Sequence, residues 1–224
     1  MSVKYLIFSF FFIITTNPTY SDANRYYNLT QAINKDDIAK VTLILKKFPQ
    51  LANKSYNQSY PPIFYVRSVA MTKLLISYGA KINIKTRDYN TPLIFALLDN
   101  RIEVANYLIN NNVNVTIKNS KGISPIYIAA ARNRTKILQL LLTKGVKIDQ
   151  KCKDKETALH IAAAMGHIAS VILLIRNKAN INARNKYGAT PLHYARNKEI
   201  AKLLLDKGAK LEIRTIDFRT ALHI

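Results

Sequence analysis

The sequence predicts an all-α solenoid, a stack of helix-turn-helix units joined by β-turn fingers. Three observations carry that prediction. Thr91-Pro-Leu-Ile, Ser124-Pro-Ile-Tyr, Thr157-Ala-Leu-His and Thr190-Pro-Leu-His recur at intervals of 33 residues, and self-similarity at a fixed period of this size marks a repeat array. Each tetrapeptide has the chemistry of a helix start: a hydroxyl that can cap the first backbone N–H groups, then a residue, proline in most copies, whose fixed φ suits the first helical position. A second helix then follows, with Ile168, Val171, Leu174 and Ile175 at helical spacing on one face, a pattern repeated as Val104, Tyr107 and Leu108 and as Ile137, Leu141 and Leu142. These stripes are expected to form the core.

Residues 1–21 read as a secretory signal peptide. Lys4 precedes an apolar run from Tyr5 to Ile14, which is short for a membrane span of about 20 residues. Thr19-Tyr20-Ser21 then offers small residues at the outer and inner cleavage positions. Cleavage is expected after Ser21, giving a mature chain of net charge +20 from a precursor of +21; the other reading is an uncleaved membrane anchor. The repeat domain occupies 22–224. Its first unit, 22–57, keeps Ala32, Ile38, Val41, Leu43, Ile44 and Leu45 but lacks the tetrapeptide, as an N-terminal cap would. Units 58–86, 87–119, 120–152, 153–185 and 186–215 follow, and 216–224 begins a partial seventh.

Within the units, Ala129-Ala130-Ala131 and Ala162-Ala163-Ala164 make the first helix thin enough for neighbours to approach closely. Gly79, Gly145 and Gly208 close second helices where a left-handed residue is wanted, with Asn112 as a substitute and Lys178 as an exception. Units two and six are three residues short between tetrapeptide and closing glycine. The junction between their helices is the expected site of the loss. At the C-terminus, the seventh unit stops inside its first helix, so unit six is expected to expose Ala201, Leu204 and Leu205. That end reads as a truncated or split member of a longer array, or as a face covered by a partner.

The assembled unit, G-x-T-P-L-H-x-A-A, an apolar second helix and then G-A-x-x-N, closely resembles the ankyrin repeat, best matched from Tyr187 through Asn197. The resemblance covers about nine-tenths of the chain and implies a bacterial, exported protein of the kind found in intracellular bacteria. It implies that the histidine ending the tetrapeptide, at 160, 193 and 223, hydrogen-bonds between neighbouring repeats, and that His167 fills a structural position in the turn between helices. Successive copies would stand too far apart for a shared zinc ion, which needs each ligand at about 2 Å.

No catalytic motif occurs. Cys152, the sole cysteine, lies beside Lys151 and Lys153, cations that favour thiolate, but has no base in register. Neither an enzyme, a cofactor nor a metal is expected. The net charge of +21 has two readings, selection for an anionic partner or a codon bias toward Lys, Asn, Ile and Tyr. The turns at 85–90, 118–123, 151–156, 184–189 and 214–219 hold eleven Lys and Arg against four Asp and Glu, with Lys85, Lys118, Lys151, Arg184 and Arg214 at one register. That ladder either serves recognition or only solvates the turns. If the edge is functional, the family implies protein binding through finger tips and the first-helix face. The expected contacts are Arg87, Ser120, Lys121, Arg132, Lys153, Met165, Lys186 and Tyr187. The expected partner is an acidic protein, with a host cell as one source, bound by a monomer; electrostatic binding of nucleic acid or anionic lipid is the alternative.

Overall fold

The computed structural model describes residues 18–221, which fall into two compact units divided between Ile84 and Lys85. Residues 1–17 of the expected signal peptide, and His223, lie outside the described residues. The expected cleavage point after Ser21 falls in the first helix, α1 (Pro18–Asn34).

In the N-terminal unit, α1 buries Tyr26, Leu29, Ala32 and Ile33. Helix α2 (Ile38–Lys47) starts at Asp37, whose carboxylate accepts the Lys40 N–H at 2.9 Å and satisfies one of the free donors of the first turn. Val41 and Leu45 face inward, whereas Leu43 is 72% exposed, so only part of this unit's apolar signature is core. Two 3-10 turns follow, Pro49–Asn53 and Pro62–Phe64, then α3 (Val69–Ser77), capped by the Ser68 hydroxyl on the Met71 N–H. Asn53 donates to the Gly79 carbonyl at 2.7 Å and accepts from the Lys81 N–H at 2.8 Å, tying the two ends of this stretch together.

The C-terminal unit contains three complete helical pairs: α4 (Pro92–Leu98) with α5 (Ile102–Asn110), α6 (Pro125–Ala131) with α7 (Thr135–Thr143), and α8 (Ala158–Ala164) with α9 (Ile168–Arg176). A fourth pair consists of a 3-10 turn, Pro191–Tyr194, and α10 (Lys198–Asp206). First helices stack on first helices, from α4 through α6 and α8 to the 3-10 turn, and second helices form their own row. Ala129, Ala130, Ala162 and Ala163 are fully buried in the first row, where a larger side chain would hold the neighbours apart. In the second row the inward positions are Val104 and Leu108, Ile137 and Leu141, and Val171 and Leu174. No strand occurs among the described residues.

The short units depart from expectation. The connecting segments between first and second elements are the same length in all four pairs of the C-terminal unit, at 99–101, 132–134, 165–167 and 195–197, so in unit six the junction is intact. The missing residues come out of the first helix, leaving four residues that can close only i to i+3 bonds, His193 N–H to the Thr190 carbonyl and Ala195 N–H to Leu192. The Arg196 N–H, left without a helical turn of its own, bonds the Ala163 carbonyl of the preceding repeat at 3.2 Å.

Two faces also differ. Ile168 is 43% exposed rather than core. Leu204 is fully buried against its own repeat stack, so of the three residues expected at the end of unit six only Leu205, 37% exposed, is an open apolar residue, with Ala201 half-buried.

The second helices α3, α5, α7, α9 and α10 end alike. Gly79, Gly145 and Gly208 adopt φ of +81°, +80° and +93°, and Asn112 +60°. At the exception, Lys178 takes φ +65°, its N–H bonds the Ile175 carbonyl and the Ala179 N–H bonds Leu174, which is the same double closure made at Gly145. The backbone conformation is therefore imposed by the repeat, and the lysine carries it at a steric cost of about 1 kcal/mol. Lys178→Gly is expected to stabilise the chain by about that amount, read as an increase in the urea midpoint at unchanged slope.

Candidate functional site

Each finger in the C-terminal unit is a five-residue turn closed by one backbone bond, from the first N–H to the last carbonyl: Thr86 to Asn90, Asn119 to Ile123, Cys152 to Glu156, Asn185 to Ala189 and Thr215 to Arg219. The opening residue reinforces the turn. Asn119 Oδ1 accepts the N–H groups of Lys121 and Ile123, both at 3.0 Å, and Asn185 Oδ1 does the same for Tyr187 and Ala189. Thr86 and Thr215 use their hydroxyls. Cys152 occupies that same register, so its half-buried thiol stands where a turn-closing oxygen stands elsewhere.

The fourth residue of every finger is left-handed: Tyr89, Gly122, Lys155, Gly188 and Phe218. Sequence reasoning missed this position because only two of the five are glycine. At Gly122 a second constraint applies, since a Cβ there would lie 2.5 Å from the backbone nitrogen of Lys153.

Adjacent fingers are bonded tip to tip. Ser120 N–H donates to the Asp88 carbonyl, Lys153 to Lys121, Lys186 to Asp154 and Ile216 to Tyr187, at 2.8 to 3.1 Å. The basic ladder adds a second row of links. Lys118 Nζ donates to the Lys151 carbonyl at 2.7 Å, Lys151 Nζ reaches the Arg184 carbonyl at 3.5 Å, and Arg184 Nη2 donates to the Arg214 carbonyl at 2.8 Å. Arg184 also donates through Nε to the Gly188 carbonyl at 3.2 Å. Lys118, Lys151 and Arg184 thus each strap their repeat to the carbonyl of the next ladder residue, while Lys85 lies over the Tyr89 ring at 5.7 Å. The strap is a structural role, distinct from both the solvation and the recognition expected of that register.

The tetrapeptide register carries a parallel set of links. His160 Nδ1 accepts the Thr157 N–H at 3.2 Å and lies 2.9 Å from the Thr157 hydroxyl, which places the imidazole proton on Nε2, facing the Ala189 carbonyl at 3.2 Å. His193 repeats the arrangement with Thr190 and the Arg219 carbonyl. Tyr127 stands in the same register, and its hydroxyl donates to Glu156 in the next repeat at 2.9 Å. Burial holds both imidazoles below the usual histidine range, opposed in part by the carbonyl each one faces. Burial and then the Glu156 carboxylate push the Tyr127 phenol up, so it stays protonated and donating. His167 Nε2 faces the Ala131 carbonyl of the preceding repeat at 3.1 Å, a structural contact. No group of three or more potential metal ligands occurs among the described residues.

The eight candidate contact residues are all exposed. Arg87, Ser120, Lys121, Lys153, Lys186 and Tyr187 occupy finger tips, while Arg132 and Met165 are the C-caps of α6 and α8, at the opposite end of the first helix from the finger. Lys186 forms an ion pair with Asp154 at 2.6 Å and lies over the Tyr187 ring at 4.7 Å, so its charge is already answered within the fingers. Among the described residues, Arg87, Lys121, Lys153 and Lys155 carry tip cations with no acidic partner.

The repeating pattern has a family. A sequence profile described as ankyrin repeats in three copies matches residues 24–119, 63–152 and 126–215. The chain belongs to the ankyrin-repeat family. No curated protein matches it. Ankyrin repeats are in general protein-interaction modules, and the family is typically non-catalytic. In this ankyrin chain, polar links join the repeats, and two of them are made by imidazoles whose pKa burial lowers.

Because His160 and His193 have lower pKa values folded than unfolded, the unfolded state binds their protons more tightly. The stability they contribute is complete above about 6.5 and falls as pH drops below it. Urea denaturation is expected to show lower stability at about pH 5 than at about pH 7.5, with the difference reduced in His160→Gln. Gly122→Ala is expected to lower the melting temperature more than Gly145→Ala, since both strain a left-handed residue but only the first collides with a neighbouring finger.

Proposed function

We propose that this ankyrin-repeat chain is an exported, non-catalytic module that binds an acidic protein through its finger tips and the ends of its first helices. The observation that carries the reading is the division of the basic charge. The ladder cations Lys118, Lys151 and Arg184 are engaged with backbone carbonyls, and Lys186 with Asp154, whereas Arg87, Lys121 and Lys153 project from successive fingers without acidic partners among the described residues. Exposed Ser120, Tyr187, Met165 and Arg132 supply polar, aromatic and flexible apolar contacts alongside them, the mixture that interface cores and rims use. Loops on a rigid scaffold are where recognition concentrates, and the tip-to-tip bonds make this scaffold rigid.

Export rests on the layout of residues 1–21, a bacterial source on the style of that leader together with the family resemblance, and an A/T-rich genome on the composition. No described helix is long and apolar enough to cross a membrane.

The test is a crosslinking pull-down with residues 22–224, comparing the native sequence with Lys121→Glu and Lys153→Glu together, and with Lys118→Met as a ladder control. A discrete protein is expected to be captured at physiological salt, lost with the tip reversals and kept with the ladder control. Loss of the ladder strap is expected instead to cost about 1 kcal/mol of stability. Capture of nucleic acid or anionic lipid alone, falling steeply with salt, would replace this reading with the electrostatic one.

A further inference from the structure

The N-terminal unit contains a pocket unrelated to the finger edge. It has a volume of about 230 Å³ and is lined by Ala23, Tyr26, Tyr27, Thr30, Asn34, Tyr56, Asn57, Ser59 and Tyr65. Tyr26 forms the floor, 5% exposed, with its ring 5.2 Å from that of Tyr56. Its hydroxyl donates to the Tyr60 carbonyl and accepts from the Ser59 hydroxyl at 3.1 Å, while the Tyr65 hydroxyl accepts the Tyr60 N–H at 3.0 Å. These bonds fix the aromatic walls. Tyr27, 60% exposed, stands at the rim with the exposed Asn34 and Asn57.

The lining chemistry restricts the ligand. None of the nine lining residues carries a charge, in a chain with 34 Lys and Arg. An anion would find no cation in the pocket. A cation would meet aromatic rings but enter a unit whose residues 22–84 hold nine Lys and Arg against three Asp, and the nearest of those acids, Asp22, is paired with Arg25 at 2.7 Å. A wholly apolar ligand would strip water from hydroxyl and amide groups without replacing its hydrogen bonds. What remains is a neutral ring with hydroxyl groups around an apolar face: the face packs on tyrosine, and the hydroxyls meet Asn34, Asn57 and the tyrosine and serine oxygens. The volume equals about seven or eight waters at about 30 Å³ each, the room of a single pyranose.

We propose that this pocket binds one uncharged sugar ring. The pocket lies within the N-terminal unit and the proposed finger contacts within the C-terminal unit, and neither reading depends on the other.

The experiment is saturation-transfer NMR with the full chain and four probes in turn: methyl glucopyranoside, methyl galactopyranoside, N-acetylglucosamine and tetramethylammonium. The chain has 13 Tyr and no Trp, so tyrosine emission gives an independent readout. At least one sugar is expected to receive transfer with a dissociation constant on the order of millimolar, as befits a ligand of about a dozen heavy atoms, and tetramethylammonium none. Tyr27→Ala and Asn34→Ala lie on exposed positions of a helix, where alanine is well tolerated, and each is expected to weaken binding about tenfold with the melting temperature unchanged. Transfer to tetramethylammonium alone, transfer to no probe, or sugar binding that survives both substitutions would each overturn the proposal.

Discussion

A helical pair in this chain cannot cover its own apolar surface. Within the C-terminal unit, the pairs α6–α7 and α8–α9 each have one side closed by the pair before and the other by the pair after, so residues such as Leu141 and Leu174 are buried only because the stack continues. Apolar contact of this kind is indifferent to small sliding movements. The polar links therefore matter more for register than for strength. Tip amides, ladder cations and the imidazoles of His160 and His193 all reach partners 26 to 33 residues away, and each bond closes only when neighbouring repeats sit at one offset. Directional bonds convert a greasy pile into an array with fixed spacing.

The same arrangement explains why so basic a surface holds together. Cations placed one per repeat along an edge repel one another, yet Lys118, Lys151 and Arg184 are drawn onto carbonyl oxygens of the next repeat, where their charge is offset by backbone dipoles. Arg87, Lys121 and Lys153, two or three residues further along their fingers, have no such sink among the described residues. A single edge thus contains an inner row that holds the fingers together and an outer row open to a partner.

Much of this was legible in the residues. Four tetrapeptides at one interval located the helices, and the rule for helix endings anticipated Gly79, Gly145 and Gly208. The misplaced features share a physical cause. Leu203, Leu204 and Leu205 are chemically identical, and a step of one residue turns a side chain by more than a quarter of a turn, so only the packed neighbour decides that Leu204 is inside and Leu205 outside. A deletion of three residues can leave a loop or a helix shorter with the same remaining letters; packing kept the connecting segment and cut the helix. The ladder was visible as a charge pattern, but a lysine that bonds a carbonyl reads the same as a lysine in water. The tyrosine pocket gathers positions from 23 to 65 with no shared spacing, so no pattern announced it.

Ten of the sixteen left-handed residues among those described are not glycine, and eight of the ten are Asn, Lys, Tyr or Phe. Those four amino acids are spelled with A and T in their first two codon letters, whereas glycine requires two G. The fold demands a backbone shape at these places, and the chain meets it with residues that hold the shape less comfortably. Base composition is thereby coupled to thermal resistance: codon drift that turns these residues into glycine would relieve backbone strain, except at Asn133, whose side chain also accepts the hydroxyl of the buried Ser170.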